Sequence, residues 1–329
     1  MNDPAVLFHA YLDQYDQRAW TRAVQSLLVD IHPVDRDATV IWFHFHPLFL
    51  ARTLRTAADR DAVMRQLWLQ GQPDLAALID ASHRFLYGHR YWPHVVTVIG
   101  AAAGSDAAPP SLDLAALIRE LASRVSRAAG VDVSLTLGIT AVGLMTLEQV
   151  GADSFASAGA VRIPPASIAR SPEQVLRARA RDKGQGFFGF LRGRKEYDVT
   201  FDEHDPQAAF RAIETQEIAT AAANDTRDYA ARDPRCHEGP IPVQCRSASC
   251  GTCWIGVIGG RDRLAPLEPR ERQRLREFGY LDSDEPQPLI RLACQAQAFG
   301  PVSVVLPPYN GIFGKIRRQQ EEVSPAPTP

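Results

Sequence analysis

The chain has 329 residues, of which 45% are hydrophobic and 22% charged, and its formal net charge is -2. This near-neutral balance argues against a nucleic-acid or anionic-membrane binder that depends on bulk charge. The length allows two domains, each with a hydrophobic core of its own.

The first twenty residues contain early acids and no apolar run behind a basic start, so we expect no secretory signal. The longest uncharged apolar stretch, residues 133–147, is shorter than the roughly 20 residues that a spanning helix needs. We therefore expect a soluble, cytoplasmic protein without a transmembrane segment. Cysteines stay reduced in that compartment, which favours a metal or metal cluster over disulfides.

Residues 1–162 are predicted to form a mainly α-helical domain of unknown function, because apolar residues recur there at three- and four-residue intervals. A clear helix is predicted over 111–130, with Ser111 or Asp113 as N-cap and Gly130 as the C-terminal stop. Two stretches alternate more like strands, TVIWFHFHP at 39–47 and the beginning of VDVSLTLGI at 131–139.

Seven of the nine histidines lie in the first 94 residues. His44 and His46 would share one face of a strand, as a metal site requires, yet no carboxylate or cysteine accompanies them at a fixed spacing. We favour packed core or surface histidines over a metal or haem site. The aromatic stretch FLYGHRYW at 85–92 is likewise interpreted as core rather than as a recognition loop.

Residues 163–195 are predicted to be a basic linker containing glycine and proline. A short helix is expected to start near Ser171, followed by the glycine-rich segment GQGFFGFLRGRK. This segment lacks the glycine spacing of nucleotide-binding loops, so we interpret it as a hinge with exposed phenylalanines. The similar YNGIFGKIRR at 309–318 is expected to pair with it, dock on a partner or cover its own domain.

Residues 196–311 mix strands and helices, which predicts an α+β domain around one small sheet. Strands are expected at 195–203, 254–260 and 302–307, and helices at 210–224 and 267–279. The tail at 312–329 is predicted to be largely disordered.

Four cysteines form the most specific pattern in the chain. Cys245, Cys250 and Cys253 are spaced C-x4-C-x2-C in CRSASCGTC, and Cys294 follows in RLACQ. Four thiolates in this spacing are what a 2Fe-2S cluster requires, and small residues between them let backbone N–H groups approach the sulfurs. Zinc also takes four thiolates, but its sites usually pair cysteines in two short hooks. The fifth cysteine, Cys236, has no such spacing and is interpreted as an incidental thiol.

Residues 196–310 resemble the 2Fe-2S ferredoxin family through CRSASCGTC, the strand WIGVIGG, RLACQ and the closing VSVVLPP. The resemblance implies a β-grasp fold, one-electron transfer at low potential, and the same four cysteines as cluster ligands. The segment LAPLEPRERQRLRE is similar to the helix-bearing insertion of adrenodoxin-like members. This chain departs from the family in having Ala248 where glycine is common, in the insertion at 224–239, and in lacking an evident hairpin after the first strand.

We predict a one-electron transfer protein whose N-terminal domain docks a redox partner, a reductase or an acceptor. Residues 200–305 carry a formal charge of -4, which would steer the domain toward a basic partner. The alternatives are an iron-sulfur redox sensor, or a component of a multicomponent oxidoreductase with a second metal or haem in the N-terminal domain. No convincing acid-base, nucleophilic or dinucleotide motif is present, so a non-catalytic electron carrier or a component of a redox enzyme is favoured over a self-contained enzyme.

Overall fold

A computed structural model describes residues 4–67, 81–105, 113–157, 159, 161–179, 181, 195–279 and 285–310. The chain divides into two compact units, one made of residues 1–58 and 74–175 and the other of residues 59–73 and 176–329. The N-terminal half is helical, and the C-terminal part contains a five-stranded mixed sheet. Among the described helices, none combines the length and the apolar character needed to cross a bilayer.

The described residues before the sheet are mainly helical. In sequence order they are α1 (Pro4–Asp13), α2 (Gln17–Leu27), α3 (Pro33–Phe45), α4 (Leu48–Thr56), α5 (Arg60–Leu67), a 3₁₀ helix (Tyr87–Tyr91), α6 (Trp92–Ala103), α7 (Leu114–Ala129), α8 (Ser134–Val150), α9 (Ala152–Ser157), α10 (Pro165–Ile168) and α11 (Pro172–Arg179). Helix α5 belongs to the second unit although it precedes most of the first in sequence.

Helix α7 has the boundaries that its capping residues predict. The Asp113 carboxylate accepts a hydrogen bond from the Ala116 N–H at 2.8 Å, which satisfies one of the free N–H groups of the first turn. Gly130 ends the helix in the left-handed conformation at φ 67°. The helix that starts near Ser171 is also confirmed, as α11.

Helix α8 is the centre of the first unit and contacts α1, α3, α4, α6 and α7. It is buried continuously from Thr136 to Gln149. A Cβ added at Gly138 would lie 2.4 Å from Thr39 Oγ1, and one at Gly143 would lie 2.5 Å from Val95 Cγ1. The strand-like start expected at 131–139 is wrong, because a helix that is apolar on every side shows no helical period.

The strand expected at 39–47 is also wrong, since residues 33–45 form α3. Successive side chains on a helix are about 100° apart, so His44 and His46 do not share a face. His44 Nδ1 bonds the Val40 carbonyl oxygen at 2.8 Å on the same helix, whereas His46 is 1% exposed and packs against Trp42. The prediction that His44 and His46 share one face, which assumed a strand, is therefore wrong.

The stretch at 85–92 lies in the core of the first unit, as predicted. Tyr87 and His89 are buried, and the buried Asp35 carboxylate accepts hydrogen bonds from the Tyr87 and Gly88 N–H groups at 2.5 and 2.7 Å. His89 Nδ1 lies 2.7 Å from His83 Nδ1. These contacts join α3 to the 3₁₀ helix. Burial lowers the pKa of His46 to about 3, and it also lowers the pKa of His83.

The sheet of the second unit has the order β2-β1-β5-β3-β4. Its strands are β1 (Glu196–Thr200), β2 (Ala209–Ile213), β3 (Trp254–Gly259), β4 (Ile290–Leu292) and β5 (Val302–Val305). Strands β1 and β5 are parallel, and the other pairs are antiparallel. Helix α12 (Ile218–Ala222) follows β2, and α13 (Pro269–Glu277) lies between β3 and β4.

The helix expected over 210–224 is wrong in its first part. Residues 209–213 form β2 and pair with β1 in the hairpin that the family resemblance implies, with Thr200 opposite Ala209. The buried side chains of Phe210 and Ala212 alternate with partly exposed neighbours. Alanine and glutamate, both good helix formers, outweighed this short alternation in the sequence. The three strands expected at 195–203, 254–260 and 302–307 are confirmed as β1, β3 and β5, and the helix expected at 267–279 is confirmed as α13, whereas β4 was not predicted.

The insertion at 224–239 is hydrogen-bonded to the start of β2. Arg227 donates to the carbonyl oxygens of Gln207 and Ala209 and pairs with Asp225. A Cβ at Gly239 would lie 2.0 Å from the Ala222 carbonyl oxygen, so the insertion returns directly against α12. The segments GQGFFGFLRGRK and YNGIFGKIRR, apart from Lys195, Tyr309 and Asn310, and the tail at 312–329 lie outside the described residues.

Candidate metal centre

Three thiols of the site lie in the loop at 245–253, directly before β3. Cys245 Sγ accepts hydrogen bonds from the N–H groups of Ser247, Ser249 and Cys250 at 3.3–3.4 Å. The Thr252 N–H donates to Cys250 Sγ at 3.4 Å. The loop therefore turns its backbone donors inward, toward the sulfurs.

Positive φ angles at Arg246, Ala248 and Gly251 produce this curl. Ala248 has φ 59°, so it adopts a left-handed conformation that glycine would take freely. For an L-residue with a side chain that conformation costs about 1–2 kcal/mol. In return, the Ala248 N–H donates to the sulfur of Cys294.

The fourth thiol reaches the loop through strand pairing. Trp254 in β3 faces Leu292 in β4, and the Ala293 N–H donates to the Cys253 carbonyl oxygen at 2.9 Å. Cys294 comes next in the chain and therefore lies beside Cys253. The Ala219 N–H of α12 bonds the Ala293 carbonyl oxygen at 2.9 Å and holds this turn from the other side.

The four thiols form two pairs. The thiols of Cys253 and Cys294 hydrogen-bond to each other, and the Cys250 thiol bonds that of Cys245. Two pairs suit two iron atoms, each taking two thiolates. Among the described residues, no group of three or more His, Cys, Asp or Glu side chains is arranged around a single metal position.

Local hydrogen bonding makes two of these cysteines acidic. Burial opposes ionisation of Cys245, but hydrogen bonds from Ser249, Ser247 and Cys250 outweigh it and lower its pKa to about 6. The pKa of Cys294 falls to about 7, chiefly through the hydrogen bond from the Cys253 thiol, and that of Cys253 rises. Thiolates are the form that binds iron, and the lowered pKa values favour that form at Cys245 and Cys294.

Cys236 has a different environment. Its buried thiol donates to the Pro240 carbonyl oxygen at 3.3 Å, and burial raises its pKa to about 12. The exposed rim of the cysteine loop instead carries Arg246, which pairs with Glu238. Thr252 Oγ1 in the same loop donates a hydrogen bond to Gln244 Oε1 at 2.9 Å.

A buried ion pair next to Cys294 was not anticipated from the sequence. Glu271 of α13 accepts two hydrogen bonds from Arg291 of β4, at 2.9 and 2.8 Å, and one from the Leu292 N–H at 2.8 Å. Both side chains are at most 1% exposed. One signal was available, since Glu271 is in helical phase with the buried Leu275 and Phe278.

Residues 212–298 match the family model described as 2Fe-2S iron-sulfur cluster binding domain. The C-terminal part of the chain thus contains a domain that binds a 2Fe-2S cluster, which confirms the resemblance drawn from its cysteine motif. The N-terminal region has no family match. No curated protein and no solved structure matches the chain significantly.

Proposed function

We propose that this chain is a one-electron transfer protein in which Cys245, Cys250, Cys253 and Cys294 ligate the 2Fe-2S cluster. The observation that carries the proposal is the approach of Cys294 to the cysteine loop, within the matched region and with backbone N–H groups directed at the sulfurs. When bound, the cluster supplies the one-electron chemistry.

The protein contributes hydrogen bonds that stabilise negative charge on the cysteine sulfurs and a loop that positions these sulfurs. The N–H groups of Ser247, Ser249 and Cys250 stabilise negative charge on Cys245, and the Ala248 N–H does so on Cys294. Cys245 and Cys250 are only partly buried, whereas Cys253 and Cys294 are buried. Electrons would therefore enter and leave through the Cys245–Cys250 side of the loop.

The sheet order β2-β1-β5-β3-β4, with α12 after the first hairpin, supports a β-grasp fold for residues 196–311. By the family resemblance we expect a low reduction potential, and from the sequence pattern we expect a cytoplasmic location. The helical domain at 1–162 then docks the redox partner, and the segment at 163–195 links the two.

The decisive experiment measures iron, zinc and acid-labile sulfide in protein purified without oxygen, with EPR spectra before and after dithionite reduction. We expect two irons and two sulfides per chain and a rhombic signal on reduction. Cys294→Ala should lose the signal, whereas the matched variant Cys236→Ala should keep it. Zinc without sulfide, or an unchanged cluster in Cys294→Ala, would overturn the assignment.

The role of the helical domain has a separate test. Hydrogen exchange of residues 4–58 and 81–105 is compared between oxidised and reduced protein. A docking module predicts equal exchange in both states. A redox sensor predicts exchange that changes with the cluster, and more than two irons per chain would favour a second metal or haem.

A further inference from the structure

The amide side chain of Gln295 lies directly beside the buried cysteine pair. Its Nε2 is 2.6 Å from the Cys294 carbonyl oxygen and 3.5 Å from Cys294 Sγ. Both of these atoms accept hydrogen bonds, so the amide nitrogen faces them and the amide oxygen points away. The short bond to the carbonyl oxygen anchors the group within hydrogen-bond distance of the sulfur.

We propose that Gln295 is a positioning residue that sets the reduction potential of the cluster by donating a hydrogen bond to Cys294 Sγ. This inference rests on the proposed function and adds a residue that the C-x4-C-x2-C motif does not contain. Hydrogen bonds to sulfur are among the factors that tune the potentials of such clusters.

The direction of the effect follows from charge. Reduction adds one electron, and part of its charge resides on the cysteine sulfurs. A donor at Cys294 Sγ therefore stabilises the reduced state more than the oxidised state, because charge-assisted hydrogen bonds are the stronger ones. Gln295 thus raises the potential, and its loss lowers it.

Gln295 differs in kind from the backbone donors of the site. The Ala248 N–H also reaches Cys294, but a substitution at Ala248 does not remove an N–H group. The Gln295 amide can be deleted while the peptide geometry stays unchanged. Gln295 is half-buried, and the turn around it is held by backbone bonds, such as its own N–H to the Leu292 carbonyl oxygen at 2.8 Å. Its side chain is therefore dispensable for the turn.

The test compares Gln295→Met with the matched control Gln297→Met. Gln297 is similarly half-buried in the same segment, and among the described residues its backbone pairs with Glu217 and Ala265. In anaerobic redox titrations, Gln295→Met should lower the ratio of reduced to oxidised protein at a fixed potential by about threefold, roughly 30 mV for one electron. Gln297→Met should titrate like the parent protein. Equal potentials in all three proteins, or equal shifts in both variants, would overturn the proposal.

A measurement on the unmodified chain keeps the test independent of any variant. Protein labelled with ¹⁵N at glutamine side chains is reduced and examined by pulsed EPR for a coupling between the cluster spin and a side-chain nitrogen. We expect this coupling in the parent protein and in Gln297→Met, and its absence from the parent refutes the role of Gln295. A parent protein with two irons, two sulfides and a reversible potential but no such coupling would refute the role of Gln295 and leave the electron-transfer function supported. A parent protein that contains no cluster would refute both the role of Gln295 and the proposed function.

Discussion

Replacing Glu271 by alanine tests whether α13 is fixed to the cluster domain by a buried charge pair. The substitution deletes the carboxylate that receives Arg291 at two oxygens and the Leu292 N–H at one. Arg291 keeps its bond to the Ala265 carbonyl oxygen at 2.9 Å. Its guanidinium charge, however, stays buried without a counter-ion.

The magnitude follows from the burial of both partners. Removing one member of a buried ion pair costs about 3–5 kcal/mol, a large part of the 5–15 kcal/mol that typically stabilises a domain. Replacing both members, as in Glu271→Leu with Arg291→Met, removes the unpaired charge. The free energy of unfolding of the double variant should then return to within about 1 kcal/mol of the parent value.

The assay is urea denaturation of the full chain with its cluster, followed anaerobically by visible absorption and tryptophan fluorescence. The midpoint shift gives the change in unfolding free energy through the slope of the transition. The control is Arg274→Ala, which breaks the more exposed pair with Glu277 on the same helix and should cost no more than about 1 kcal/mol. The reasoning is refuted if Glu271→Ala costs as little as this control, or if the double variant is no more stable than the single one.

Three further predictions concern the core, the pH dependence and the loop. Gly143→Ala inserts a methyl group into a packed helix contact and should destabilise the chain by about 1–3 kcal/mol in thermal unfolding, whereas Gly100→Ala, with nothing within 4 Å of the new Cβ, should stabilise α6 by about 0.5–1 kcal/mol. His46 is neutral when folded and its pKa is lowered to about 3, so the unfolded chain binds the extra proton below pH 6.5. His46 should therefore contribute a fall in stability that approaches about 1.4 kcal/mol per pH unit on acidification below 6.5. An unfolding series at pH 5.5–7.5 should show a shallower fall in His46→Gln, and identical slopes would contradict a buried neutral imidazole. Ala248→Gly should retain the cluster at two irons per chain, whereas Ala248→Val, with a branched side chain in the left-handed region, should lose iron more readily, and equal iron retention in both variants would count against the strain at this position.

Several local features could be predicted because their causes lie within a few residues of one another. The caps at Asp113 and Gly130 define α7, since the bonds they make are short-range. The cysteine spacing predicted the cluster-binding domain for the same reason, because one loop supplies three thiols and small residues let the backbone approach them. Where the propensities of neighbouring residues conflicted with burial, as at β2 and α3, prediction failed.

The sequence by itself determined the cofactor class and the main elements of the second unit, because a ligand motif and strand alternation depend on residues that are neighbours in the sequence. Only the tertiary structure decided which distant residues meet. Helix α5 joins the second unit, where the Asn310 N–H donates to the Leu67 carbonyl oxygen at 2.9 Å, although 243 positions separate them in the numbering of the chain. Glu271 and Arg291 likewise pair across α13 and β4. Such contacts depend on how whole elements bury their faces against each other, and no local pattern of residues encodes that choice.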